Sequence, residues 1–182
     1  MEHEKTKQLF EKYVKTENLK LHCIEVEAIM KELAREEGEN IEKWGAAGLL
    51  HDLDFDIPEF QDLQNHVKKT IEILKEEGYP DDLIHAVASH NEEGSGIKRE
   101  NKFDYCLSAA DNISGLIYAY GLMRKSLEGM EVKGLKKKMK DKTFAAAVRR
   151  DLIRDVEKFI PLDKFLEISI KAMQSISDKI GF

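Results

Sequence analysis

Apolar residues recur at the helical period along nearly the whole 182-residue chain, and no segment alternates apolar and polar positions over a strand's length. The pattern predicts an all-α protein, a single-domain helical bundle of about seven to nine helices. The periodic segments are 3–15, 18–37, 41–51, 63–77, 81–90, 102–127, 143–159 and 163–180. Their ends carry physical signals. Gly38 follows a charged last turn, and Gly78-Tyr79-Pro80 closes another helix, because glycine accepts a left-handed conformation and proline cannot extend the helix before it. Pro58 stops the run after "HDLDFDI", and Asp163 after Pro161 is placed to cap the last helix.

Charged residues make up 35% and apolar ones 42%, an ordinary soluble composition, and three prolines leave few interruptions. Residues 1–182 therefore read as one domain. No apolar run is long enough to span a bilayer, and "MEHEKTKQLF" is too charged for a secretory signal, so a cytoplasmic protein without a membrane partner is expected. Cys23 and Cys106 lie within apolar helical patterns without C-x-x-C spacing and read as reduced core thiols.

The net charge of −6 argues against broad nucleic-acid binding, and no stable nucleic-acid partner is expected. The charge is uneven. From 133 to 150 there are eight basic residues against the single acid Asp141, so a local basic patch sits on an acidic body.

Against this background "GLLHDLDFD" (48–56) stands out, because an apolar helical run ends in a histidine followed by three alternating carboxylates. Of the six histidines, five (His22, His51, His66, His85 and His90) fall between 22 and 90, and any one alone reads first as a surface or satisfied core histidine. Together they point elsewhere. His22 sits among Leu19, Leu21, Cys23, Ile24 and Val26, where its ring nitrogens need a partner that a metal ion can supply. His51 and Asp52 are neighbours about 100° apart on a helix, so they bind one ion together only from a helix end or a corner, and the following Asp54, Asp56 and Pro58 indicate such an end. Asp111 lies mid-helix in "FDYCLSAADNISGLIYAY", where a carboxylate is costly unless it is paired or bound to metal.

The order His22, His51-Asp52, Asp111 resembles the H…HD…D signature of the HD-domain superfamily of metal-dependent phosphohydrolases, an all-helical fold. The resemblance covers about 18–127 as a metal-binding core, with 128–182 as a C-terminal helical extension. It implies metal ligands His22, His51, Asp52 and Asp111, with His51 and Asp52 at the catalytic centre. His66 and His90 resemble the extra histidines of two-metal members, Asp52 then bridging both ions; His85 reads as structural. Where many relatives carry HDIGK, this chain has Leu53, Asp54 and Phe55, so phosphate contact is assigned to Lys68 or Lys69 or to the basic segment, "KKKMKDKTFAAAVRR", through Lys137, Lys138 and Arg149. That segment resembles the tail of small bacterial and archaeal HD proteins, although composition alone makes it a solvated turn and helix start.

The implied cofactor is one or two divalent transition-metal ions (manganese, iron, cobalt, nickel or zinc). Two histidines and two aspartates without thiolate leave coordination positions open and disfavour a structural zinc site. The implied activity is hydrolysis of a phosphate ester or anhydride of a nucleotide-like substrate by metal-bound hydroxide. Asp54, Glu92 and Glu93 are candidates to assist proton transfer, each otherwise a solvated acid. Two rivals remain: a di-iron HD-type oxygenase, and a non-catalytic protein that binds a nucleotide or metal. The expected partner is a small phosphorylated substrate, and the apolar stretch "GLIYAYGLM" is either core or part of a homodimer face.

Overall fold

The computed structural model describes residues 3–182. The ten α-helices among them are α1 (His3–Tyr13), α2 (Glu17–Glu37), α3 (Ile41–Leu50), α4 (Lys68–Glu76), α5 (Asp81–His90), α6 (Glu92–Ser95), α7 (Lys102–Arg124), α8 (Val132–Lys140), α9 (Arg150–Asp155) and α10 (Leu162–Ser175). Short 3₁₀ turns at Pro58–Phe60, Val156–Lys158 and Ser177–Lys179 complete the regular structure, and no strand occurs among the described residues. The all-α expectation holds. The count exceeds the expected seven to nine because α6 is a single turn and α8 was not foreseen as a helix.

The bundle is built around α2 and α7. Helix α2 buries Cys23, Val26, Ile29, Met30 and Leu33 against α3, α7 and α10, and α7 buries Leu107, Ala110, Ile113, Leu116 and Ile117. Phe165, Leu166 and Met173 of α10 close the core. The α2–α3 crossing is closest at Gly48, where a Cβ would lie 2.8 Å from the Val26 carbonyl oxygen and 2.9 Å from Glu27 N. Any larger residue would push α3 away from α2. Gly38 ends α2 with φ +70°, the conformation anticipated for it.

Both cysteines are free and buried, and burial pushes the Cys106 thiol up to about 12 and Cys23 well above its ordinary value, as expected of core thiols. Among the described residues no helix is long and apolar enough to cross a membrane.

Three segments depart from the periodicity. The helix expected over 63–77 begins only at Lys68: residues 63–67 form turns, and Val67 takes φ +80°. The buried Asp54 carboxylate supplies the acceptor at that N-terminus, taking the N–H groups of Lys69 and Thr70. The helix expected over 143–159 is reduced to α9. Residues 141–148 instead wrap around the Arg150 guanidinium, which donates to the carbonyl oxygens of Met139, Asp141, Phe144, Ala145 and Val148. Those carbonyls find partners without a helix. Conversely, α8 forms within the lysine-rich stretch because Leu135 and Met139, four residues apart, are both buried while the lysines point outward. Asp163 lies in the first turn of α10 and does not cap it, the cap position being held by Pro161.

Candidate metal centre

Gly48 sets α3 close against α2, and the helix ends two residues later, at Leu50, so that His51 faces His22. The two Nε2 atoms are 3.2 Å apart. Asp52, in the turn that follows, places Oδ1 3.3 Å from His51 Nε2 and Oδ2 3.7 Å from His22 Nε2. Asp111 of α7 completes this side, with Oδ1 3.2 Å from His22 Nε2 and 3.9 Å from His51 Nε2. On the other side Asp52 Oδ1 lies 3.0 Å from His66 Nε2 and 3.4 Å from His90 Nε2, and those two nitrogens are 3.1 Å apart. Two triads of potential ligands, His22-His51-Asp52 and Asp52-His66-His90, thus share one carboxylate.

These separations match the edges of a coordination polyhedron. Ligands about 2.1 Å from an ion lie roughly 3.0 Å apart in octahedral and 3.4 Å apart in tetrahedral geometry. The outer contacts point the same way. His51 Nδ1 donates to Gly48 O (2.8 Å), His90 Nδ1 to Val87 O (2.5 Å) and His66 Nδ1 to Asp54 Oδ1 (2.8 Å). His22 Nδ1 donates to Ser114 Oγ (3.3 Å), whose own proton goes to Asp111 O. Each imidazole therefore holds its Nδ1–H outward and its Nε2 toward the centre, the orientation of metal-ligating histidines. Without a cation, two facing lone pairs 3.1–3.2 Å apart repel, and in the metal-free protein a proton takes that place. Burial disfavours charge on His22, but Asp111 and Asp52 outweigh it and raise the ring to about 9. His66 behaves alike: Asp52 and Asp54 overcome burial and raise it to about 10. His51, fully buried, falls to about 4. Burial also opposes charge on Asp52, yet His51, His66 and His90 hold it well below the usual carboxylate range.

The centre opens into a cleft of about 800 Å³, within the size range of small-molecule sites. Its apolar wall includes Leu19, Phe55, Leu63 and Leu152, its polar one Thr16, Asn112 and Arg149. Phe55 occupies the position where the resemblance expects lysine, 38% exposed, its ring perpendicular to that of His66 at 5.1 Å. Arg149 is held at the rim by its backbone N–H, which donates to Asn112 Oδ1, while Asn112 Nδ2 donates to Asp111 Oδ2. Lys68, Lys69, Lys137 and Lys138 do not line the cleft. Lys68 bonds to Asn65, Lys69 to Glu72, and Lys138 lies over the rings of Tyr120 and Phe144. His85 turns away from the centre, with Nδ1 3.1 Å from Asp104 Oδ2, in keeping with a structural histidine.

Several residues build the site through roles that the sequence pattern does not assign them. Asp54 is no solvated acid: it is fully buried, and both its oxygens accept hydrogen bonds, four in all, from His66, Val67, Lys69 and Thr70. It positions His66 and has no oxygen left for proton transfer. Asn91 donates to the carbonyls of Leu63 and His66 and accepts from Gly94 N, fastening the turn that carries His66. Gly94 is packed so closely that a Cβ would meet His66 O at 2.4 Å. Asp56 accepts from Lys15 N, Thr16 N and Thr16 Oγ1, tying the α1–α2 link to the cleft. Only a reading of which backbone groups need acceptors finds these roles.

Comparison with known proteins agrees with this geometry. The model of the HD domain matches residues 21–116. Similar curated proteins include Ribonuclease Y of Cutibacterium acnes, 33% identical over 107 residues (59% of this chain, 19% of that protein). Ribonuclease Y of Mesoplasma florum is 31% identical over 98 residues (54% and 19%). Ribonuclease Y of Desulfotalea psychrophila is 26% identical over 176 residues (91% and 32%). The matches thus span about a fifth to a third of the length of these relatives. No solved structure matches.

Proposed function

The chain belongs to the HD-domain family, and from that premise we propose that it hydrolyses a phosphate ester or anhydride of a nucleotide-like substrate with a divalent metal. The observation that carries this reading is the single oxygen Asp52 Oδ1, within 3.0–3.4 Å of Nε2 of His66, His51 and His90. A carboxylate so surrounded suits a bridge between two ions, one held by His22, His51, Asp52 and Asp111 and the other by Asp52, His66 and His90. A transition metal bound there would lower the pKa of coordinated water and withdraw charge from a phosphoryl oxygen.

The protein's own groups would do the rest. Arg149 presents a planar guanidinium at the cleft rim and would orient the phosphoryl group. Phe55 and Leu63 offer apolar surface against which a base or ribose can lie. The name of the relatives, Ribonuclease Y, favours a phosphodiester of a ribonucleotide among the candidate esters. Residues 128–182 belong to the same working unit in this reading, since Ala147, Arg149 and Leu152 line the cleft.

The test is a screen of purified protein against phosphomonoesters, cyclic dinucleotides, dinucleoside polyphosphates and short RNAs, with manganese, cobalt, nickel and iron in turn. Release of phosphate or nucleotide is expected with at least one metal. It should fall by more than about a hundredfold in His51→Ala, since even outer-shell partners of a metal site cost 10- to 100-fold. Oxygen uptake by the iron-loaded protein without phosphate release would overturn the reading.

A further inference from the structure

Next to the cleft, and sharing His90, Arg149 and Leu152 with it, lies a smaller cavity of about 260 Å³. Its remaining walls are Glu92, Glu93, Lys98 and Arg99. Arg99 is the unusual member. Its side chain is only 11% exposed, yet the guanidinium makes one well-formed side-chain hydrogen bond, Nη1 to Ser108 Oγ at 2.8 Å. Nη2 is 3.9 Å from Asp155 Oδ2. Nε is buried without a hydrogen-bond partner, because Glu92 Oε1, although 3.2 Å away, is misaligned with it. The Arg99 charge is thus held by a misaligned carboxylate and by the Tyr105 ring, 5.5 Å from the guanidinium carbon, an arrangement that an anion of better geometry in the cavity would improve on.

The charges agree with that occupant. Lys98, Arg99 and Arg149 outnumber Glu92 and Glu93 among the walls of the side cavity. The side cavity thus carries an excess of cationic side chains next to the metal centre. Its volume is below the roughly 300–1,000 Å³ of pockets that enclose whole ligands, which suits one substituent of a larger molecule. Building on the phosphohydrolase reading above, we propose that it binds a second phosphoryl group, so that the substrate is a nucleotide with two phosphoryl groups. One would lie at the metal centre and the other between Arg99 and Lys98, with Arg149 between the two positions. Glu92 and Glu93 hold the cations in place until the ligand displaces them.

Calorimetric titration of the manganese-loaded protein with AMP, ADP and adenosine 3′,5′-bisphosphate tests this. At least one two-phosphate ligand should bind about tenfold more tightly than AMP, and which one does so tells an anhydride from a separate ribose phosphate. The affinity ratio should shrink in Arg99→Gln and in Lys98→Gln, whose side chain is 74% exposed and tolerant of change, and should grow in Glu93→Gln, which removes an opposing charge. AMP binding with a ratio near one, or a ratio unmoved by Lys98→Gln and Glu93→Gln, would overturn the subsite and leave the phosphohydrolase reading standing. If none of the three nucleotides binds the metal-loaded protein, both fall.

Discussion

Asp54 Oδ1 accepts the Nδ1 proton of His66 at 2.8 Å while the same carboxylate closes the N-terminus of α4. One buried side chain therefore sets both where a helix begins and which way a candidate ligand faces. It also accepts from the N–H of Val67, a β-branched residue at φ +80° that is strained unless its surroundings hold it.

Replacing Asp54 should act on one half of the centre. In Asp54→Asn the amide group offers donors to backbone N–H groups that need acceptors, and His66 loses its partner. Metal bound per chain, measured after dialysis, is expected to fall toward one ion, with affinity at the Asp52-His66-His90 triad lowered about 10- to 100-fold. Equal loss at both triads would contradict the assignment.

Gly94→Ala probes the same element from its other side. The added Cβ would meet His66 O at 2.4 Å and Leu63 O at 2.8 Å, both backbone atoms that cannot step aside. A destabilisation of about 1–3 kcal/mol is expected, visible as a lower Tm, together with weaker metal binding at His66. An unchanged melting curve would show that the turn has slack.

Metal binding should release protons. With His22 raised to about 9 and His66 to about 10, both rings are charged at pH 7.5 in the metal-free protein and must become neutral to ligate. His51, lowered to about 4, is neutral already. Affinity should therefore rise with pH between 6 and 9. Calorimetry in two buffers of different ionisation enthalpy should report about two protons released when both triads fill, and no buffer dependence would refute the protonation pattern.

Glu25, buried on α2, gives a pH dependence away from the centre. Burial raises its carboxyl to about 8, with His22 opposing. The group stays protonated in the folded chain while the unfolded chain ionises above its ordinary value of 4.5. Its contribution to stability is whole below that pH and is lost as pH rises toward 8. Glu25→Gln removes the titration, so its Tm advantage over the parent should grow between pH 5 and pH 8.5, to several degrees. An advantage that is constant with pH would show that Glu25 is not the group responsible.

Helices with a strong apolar face were legible from the sequence. The segments 18–37 and 81–90 fall within a residue of α2 and α5, because one buried face at the 3.6 period suffices to specify them. Segments 63–67 and 143–149 were not, since their backbone groups are satisfied by side chains, Asp54 and Asn91 for the first and the adjacent Arg150 for the second, and such partners leave no helical period. Helix α8 was missed for the opposite reason: two buried residues, Leu135 and Met139, were obscured by the lysines around them.

For the site, the sequence by itself determined the donor set. His22, His51, Asp52 and Asp111 stand out as candidates because imidazole and carboxylate are costly on apolar helical faces unless something binds them, and His66 and His90 join them through the resemblance to two-metal HD proteins. Tertiary structure alone decided their arrangement: that Asp52 is shared by two triads, that Asp54 serves as a buried prop, and that Arg149 reaches the cleft while Lys68, Lys69, Lys137 and Lys138 do not line it. The physical reason is that a side chain's chemistry is fixed by its identity, whereas the direction of its lone pairs depends on which distant backbone and carboxylate groups accept its remaining proton.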